Sequence, residues 1–348
     1  MRVSAMAARG EDVFPSVAAT LAELWAGHEV QPGAVAGGQV WWLHPALSLC
    51  SHAPGPRARR YLRRAQRWSH RPARVLPQLV ASRLLTSRAG LRAFRSAAFT
   101  VSPGHPDASE LLVMPSNQRV RVLDFARART QVIAKAGLSS ASVAKELALR
   151  AGEGPWMPAR RISERAFEEE LLDGWPLPRR PPWCDVRAEV EAAIRRVEAW
   201  QGLDARATPA RAWAQRLGAR LASGLPDDLA AVLPIERMVA AAAALGEVEV
   251  SSTHGDLQPG NLFVRRDGHV VVIDWERAGR RWRPYDRWVW TCNARWGGHP
   301  PQHAPRGERA LFWLEELCFF LDEASAFPGD VGTSTLRSRA MAACASWS

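Results

Sequence analysis

Residues 261–275, NLFVRRDGHVVVIDW, constrain the fold more than any other stretch of this chain. Two short runs rich in β-branched residues flank Asp267-Gly268, which supplies the positive φ that a two-residue hairpin turn demands. A tight hairpin brings its outer ends side by side, so Asn261 and Asp274, thirteen residues apart, are predicted to meet across it. Just upstream, VEVSS reads as a strand running into STHGDLQPG, which carries His254 and Asp256. Taken alone, Asp256 reads as an ordinary turn cap, and His254 as a hydrogen-bonded residue that braces its loop. Together with its neighbours the stretch reads differently. An amide oxygen and a carboxylate that converge, with a second carboxylate close by in sequence, suit Mg²⁺, which takes few protein oxygens and leaves room for phosphate and water.

The strand pattern recurs earlier. LLVMPS, RVRVLDF and TQVIAKA read as three consecutive antiparallel strands, and GLSSASVAKELALRAG as a helix capped by Ser139 or Ser140 and stopped by Gly152. AFEEELLDGWPL reads as a strand leaving into an extended link. From Cys184 the chain turns helical, with Thr208-Pro209 at the start of one helix and PDDLAAVLPIERMVAAAAALG as a further helical stretch. VSPGHPDAS, at 101–109, is a break of Pro, Gly and Ser. These signals divide the chain into an Arg-rich N-terminal extension of uncertain fold (1–105), a small sheet with one helix (106–175) and a mainly helical remainder (176–348).

Charge is informative because it is uneven. The net +11 comes from residues 51–100, which hold twelve arginines and no acid, while the rest of the chain sums to −1. This segment reads either as a solvated Arg-rich helical face or as a surface for an anionic partner such as a membrane surface, with no specific nucleic acid expected. The chain contains 44 arginines and two lysines, Lys135 and Lys145. Where Arg serves nearly every cationic need, a retained lysine points to a demand for a compact ammonium. No apolar run approaches the ~20 residues of a spanning helix. The five scattered cysteines match no metal or disulfide spacing, so a reducing, cytoplasmic setting is expected.

Phosphoryl transfer needs a group to orient the attacking hydroxyl, a cation on the phosphates and a carboxylate to hold that cation. Asp256, Lys135 at the end of VIAK, and Glu146 on the following helix suit these tasks in turn. Glu146 also fits a solvent-facing helical position. The pattern HGDLQPGN followed by IDW resembles the aminoglycoside phosphotransferase and choline kinase group, which has the protein-kinase-like fold. The resemblance spans about residues 110–290 and includes VIAK, the helix with Glu146, EELLDG and PYD. It implies an α+β bilobal fold with an antiparallel-sheet N-lobe and a mainly helical C-lobe, and ATP-dependent phosphorylation of a hydroxyl. In that scheme Asp256 is the catalytic base, Asn261 and Asp274 bind Mg²⁺, Lys135 paired with Glu146 binds the phosphates, and Asp286 braces the catalytic loop.

Three departures shape the expectation further. The turn expected to cover the phosphates, MPSNQR, contains no glycine, leaving Ser116 and Asn117 as donors there. Asp274 is followed at once by WERAGRRWRPYD, too short for an activation segment, so a small acceptor is favoured over a peptide. The stretch after Asp286 is not acidic, which favours a sugar, a sugar-like metabolite or a glycan over a cationic aminoglycoside. Trp282, Trp288, Trp290 and Trp296 read as core, with stacking on a sugar ring as the alternative. The competing functional reading is a kinase-fold binding or scaffolding protein without turnover, and an aminoglycoside-type enzyme is a further one.

Overall fold

The computed structural model describes residues 10–44, 47, 49–66, 76, 80, 83–84, 87–93, 96–116, 118–326 and 330–347. The chain divides into two compact units, residues 1–193 with 260–276 and residues 194–259 with 277–348. The architecture is mixed α+β, with antiparallel sheets and helices in both units.

The first unit is built on a nine-stranded sheet. Its strands are β1 (Glu29–Pro32), β2 (Gln39–His44), β3 (Leu49–Ser51), β4 (Ser96–Ser102), β5 (Leu111–Pro115), β6 (Arg119–Asp124), β7 (Arg129–Ala134), β8 (Ala159–Arg161) and β9 (Ala166–Glu170). They lie in the order β1-β4-β2-β3-β5-β6-β7-β9-β8, with every neighbouring pair antiparallel. The three strands expected from LLVMPS, RVRVLDF and TQVIAKA are β5, β6 and β7. Residues 29–102 add four more strands to the same sheet, so the sheet runs through the compositional break near 105. Much of the basic run between 67 and 95 lies outside the described residues.

Alternation sorts the side chains of this sheet onto two faces. Val120, Val122 and Ile133 join Trp41, Phe99, Val101 and Val113 in one cluster, together with Val17 and Leu21 of the helix Gly10–Leu24. On the other face, Val132, Ala134 and Phe167 pack with Val143 and Leu147 of the helix Ala141–Arg150. A smaller sheet joins β10 (Gly174–Pro176) to the hairpin of β13 (Leu262–Arg265) and β14 (Val270–Val272).

The second unit carries a three-stranded sheet of β11 (Arg206–Pro209), β12 (Glu247–Thr253) and β15 (Gly279–Trp282). Around it pack the helices Ala210–Gly224, Ile235–Ala243, Arg306–Ala326 and Asp330–Trp347. Their core includes Trp213, Leu217, Leu221, Phe312, Leu317 and Leu336. The helical stretch expected at PDDLAAVLPIERM is split by Pro234, which has no N–H to continue a helix. Trp282 is buried, 5.7 Å from Trp288, which lies 5.8 Å from Phe312. Both are therefore core residues, while the Trp296 side chain lies outside the described ones.

Candidate active-site residues

In the second unit β12 delivers the HGD turn, and Asp286 ties it down. The first turn of the helix Tyr285–Thr291 presents the Asp286 carboxylate, whose Oδ2 accepts the His254 N–H at 2.6 Å and whose Oδ1 accepts the Gly255 N–H at 2.8 Å. Gln201 Nε2 donates to the same Oδ2 at 2.6 Å. Burial pushes the Asp286 carboxyl above its ordinary value, and the charge of neighbouring groups works against that. His254 is fully buried, and its Nδ1 accepts the Asp256 N–H at 3.2 Å. Gly255 has φ +82°, and a Cβ there would stand 2.3 Å from the Arg277 carbonyl oxygen. Only glycine fits that combination of backbone angle and close approach.

Asp256 is gripped by a residue the sequence did not single out. Arg295 Nε donates to Asp256 Oδ1 at 2.6 Å, and Gln258 Nε2 donates to Oδ2 at 2.9 Å. The remaining Arg295 donors reach both oxygens of Glu316 at 2.7 and 2.6 Å, and the Gly255 carbonyl and Tyr285 hydroxyl at 3.1 Å each. Its guanidinium lies 3.9 Å from the centre of the Phe319 ring. Glu316 is wholly buried and also accepts from Arg339 at 2.9 Å and the Tyr285 hydroxyl at 2.7 Å. A planar fork held at every donor cannot swing, so Arg295 fixes the orientation of the Asp256 carboxylate.

In the first unit the hairpin forms around Asp267-Gly268, with Gly268 at φ +90°. The register pairs Leu262 with Val272, and the Ile273 N–H donates to the Asn261 carbonyl at 2.9 Å. The loop spans Arg266–Gly268, three residues rather than the two expected, so Asn261 stands opposite Ile273, one residue short of Asp274. Asp274 takes φ +68°, a left-handed conformation that Asp and Asn tolerate better than most residues. Its Oδ1 accepts Arg121 Nη2 at 2.6 Å.

The expected Lys135–Glu146 pair is not formed, because two arginines hold the Glu146 carboxylate. Ala134, the last residue of β7, packs against the helix Ala141–Arg150, and Lys135 follows it past the end of the strand. Arg119, directly opposite Ala134 on β6, takes the carboxylate instead. Arg119 and Glu146 are 1% and 3% exposed, and Arg150 reaches Glu146 at 2.9 Å and Glu169 at 2.7 Å. Lys135 has no ion-pair partner among the described residues, and burial lowers its ammonium to about 8. In the turn between β5 and β6, Ser116 donates both its N–H (2.8 Å) and its hydroxyl (3.0 Å) to the Arg119 carbonyl. That closes the glycine-free turn with the donors expected to face a phosphate. Asn117 lies outside the described residues.

Among the described residues no three His, Cys, Asp or Glu side chains form a ready-made metal cage. Mg²⁺ does not require one, since it is commonly held by one or two carboxylates plus substrate phosphates. The hard oxygens of Asn261 and Asp274 fit that demand, with Arg121 on one carboxylate oxygen of Asp274.

Comparison with known proteins decides the family. Residues 36–320 match the sequence profile of the phosphotransferase enzyme family APH. The chain belongs to that family. The match begins well upstream of residue 110, within the segment expected to be an extension, and it includes Arg295 and Glu316 as well as every candidate residue named from the sequence. No curated protein matches the chain. Solved structures similar to it include a choline/ethanolamine kinase family protein from Mesorhizobium loti, 15% identical over 69% of this chain and 89% of that one, with a TM-score of 0.46. Another is a macrolide 2'-phosphotransferase from Brachybacterium faecium, at 15% identity, 67% and 92% coverage and a TM-score of 0.46. An ethanolamine kinase from Plasmodium vivax is 12% identical over 78% and 88%, with a TM-score of 0.44.

Proposed function

We propose that this member of the phosphotransferase family moves the γ-phosphate of ATP to a hydroxyl of a small molecule. The observation that carries the reading is the family match over residues 36–320, within which HGDLQPGN and IDW supply Asp256, Asn261 and Asp274. Asp256 accepts the proton of the acceptor hydroxyl, and Arg295 keeps its carboxylate aligned for that transfer. Lys135 meets the nucleotide phosphates as an ammonium that has no carboxylate partner among the described residues. A Mg²⁺ held by Asn261 and Asp274 would neutralise charge on the transferring phosphoryl group.

A sugar, a sugar-like metabolite or a glycan is the proposed acceptor class. The stretch RWVWTCNARWGGHPPQHAPRGER after Asp286 holds a single acid, Glu308, which suits a neutral polyhydroxyl compound better than a polycation. The test is ADP release across a panel of hydroxyl acceptors, with and without Mg²⁺, for the wild type and Asp256→Asn. Turnover on at least one acceptor is expected, with a loss of about a hundredfold or more in the variant. A wild type that binds ATP yet releases no ADP on any acceptor favours a binding protein of the same fold. That second reading draws support from the Arg121–Asp274 ion pair and from the Ser116 donors spent inside their own turn.

A further inference from the structure

The face of β6 that carries Arg119 and Arg121 is crowded with charge. Two residues apart on a strand, the two side chains share a face. Arg119 binds Glu146 and lies 3.3 Å from Glu276, Arg121 binds Asp274, and Arg150 links Glu146 to Glu169. Fully ionised and counted among the described residues, that is three guanidiniums against four carboxylates.

The ion pairs differ in how readily they open. Arg119 and Glu146 have side chains 1% and 2% exposed, whereas those of Arg121 and Asp274 are 30% and 25% exposed. Parting a buried pair strands a charge in a poor solvent, and parting a partly solvated one costs less. Arg119 is therefore held on Glu146 more firmly than Arg121 is held on Asp274. The carboxylate that Arg121 holds is one of the two groups proposed above for Mg²⁺.

We propose that Arg121 serves two ligands in turn: the Asp274 carboxylate while no divalent cation is bound, and a nucleotide phosphate once a cation occupies Asp274. This rests on the phosphotransfer reading given above. Arg121 then acts as a phosphate-binding residue that makes metal and nucleotide binding interdependent. A divalent cation adds two positive charges to the cluster, which favours an anionic ligand at the released guanidinium. Before exchange the guanidinium neutralises Asp274 and blocks either ligand from binding well alone.

The test compares Mn²⁺ affinity without nucleotide, and affinity for a non-hydrolysable ATP analogue with and without Mg²⁺, in the wild type, Arg121→Gln and Asp274→Asn. In the wild type each ligand should tighten the other by about fivefold or more. Arg121→Gln should bind Mn²⁺ about fivefold tighter and the analogue with Mg²⁺ about fivefold weaker, a split that partial unfolding would not produce. Asp274→Asn, which suits φ +68° as well as Asp does, should lose Mn²⁺ binding and gain affinity for the metal-free analogue. Unchanged affinities, or metal and nucleotide affinities that fall together in Arg121→Gln, overturn the exchange. So does a metal-free analogue affinity that Asp274→Asn leaves unmoved. If the wild type binds both ligands and only these variant effects fail, the phosphotransfer reading stands without Arg121. A wild type that binds no nucleotide ends both.

Discussion

Lys135 is retained at a cost in stability, and that cost can be measured. Its side chain is 7% exposed, without an ion-pair partner among the described residues, and burial brings it from an ordinary 10.5 to about 8. The unfolded chain therefore holds this proton more tightly than the folded one. The penalty is fully present below pH 8 and is relieved as pH rises from 8 towards 10.5. It amounts to about 3 kcal/mol at neutral pH by linkage. Lys135→Met is expected to raise the melting temperature at pH 7 by several degrees, to lose most of that gain by pH 10, and to weaken ATP binding. The same ionisation predicts that wild-type ATP affinity falls above pH 8, by up to about tenfold per pH unit, because the phosphate favours the ammonium. A flat affinity profile between pH 7 and 10 in titration calorimetry would remove Lys135 from the phosphate contacts. At this scale the sequence exposed some residues and hid others. Lys135 stood out because arginine fills nearly every other cationic position. Arg295 did not, since one arginine in 44 carries no signal and its link to Asp256 spans 39 positions of chain.

Among the elements, the hairpin was the most legible, because Gly268 marks its turn, yet a loop of three residues rather than two moves the partner of Asn261 from Asp274 to Ile273. The Lys135–Glu146 pairing was not legible because Glu146 is taken by Arg119 and Arg150, and among so many arginines neither is marked in sequence as its partner. The HGD turn at the end of β12 depends on a single atom's absence. A methyl group at Gly255 would meet the Arg277 carbonyl at 2.3 Å and the Arg281 guanidinium at 2.4 Å, at a backbone angle that L side chains resist. Gly255→Ala is expected to cost about 2–4 kcal/mol, which lowers the melting temperature by roughly 5–15 °C. Turnover should fall as well, since the displaced turn carries the Asp256 backbone. A melting curve superimposable on the wild type's would show that the turn relaxes freely and that Asp286 does not hold it.

At the scale of the molecule, the nine-stranded sheet changes what counts as a removable part. Composition separated residues 1–105 because arginine and turn residues dominate there, masking the short strands QVWWLH and SAAFTVS. Packing joins them to the rest: β3 pairs with β5 through Cys50 and Val113, and Trp41, Phe99 and Val101 share a cluster with Val113, Val120, Val122 and Ile133. A chain starting at residue 106 would uncover those last four side chains and leave β5 as an open edge. Exposing a fully buried aliphatic side chain costs about 1.5–3 kcal/mol, so the four together forfeit roughly 6–12 kcal/mol. That is comparable with the whole stability of an ordinary domain, about 5–15 kcal/mol. An unpaired apolar edge also templates association between copies. The truncated chain is therefore expected to be insoluble or to melt without cooperativity, with strong binding of a hydrophobic dye. If it instead stays monomeric and melts cooperatively within a few degrees of the full-length protein, residues 1–105 are a dispensable addition to the sheet.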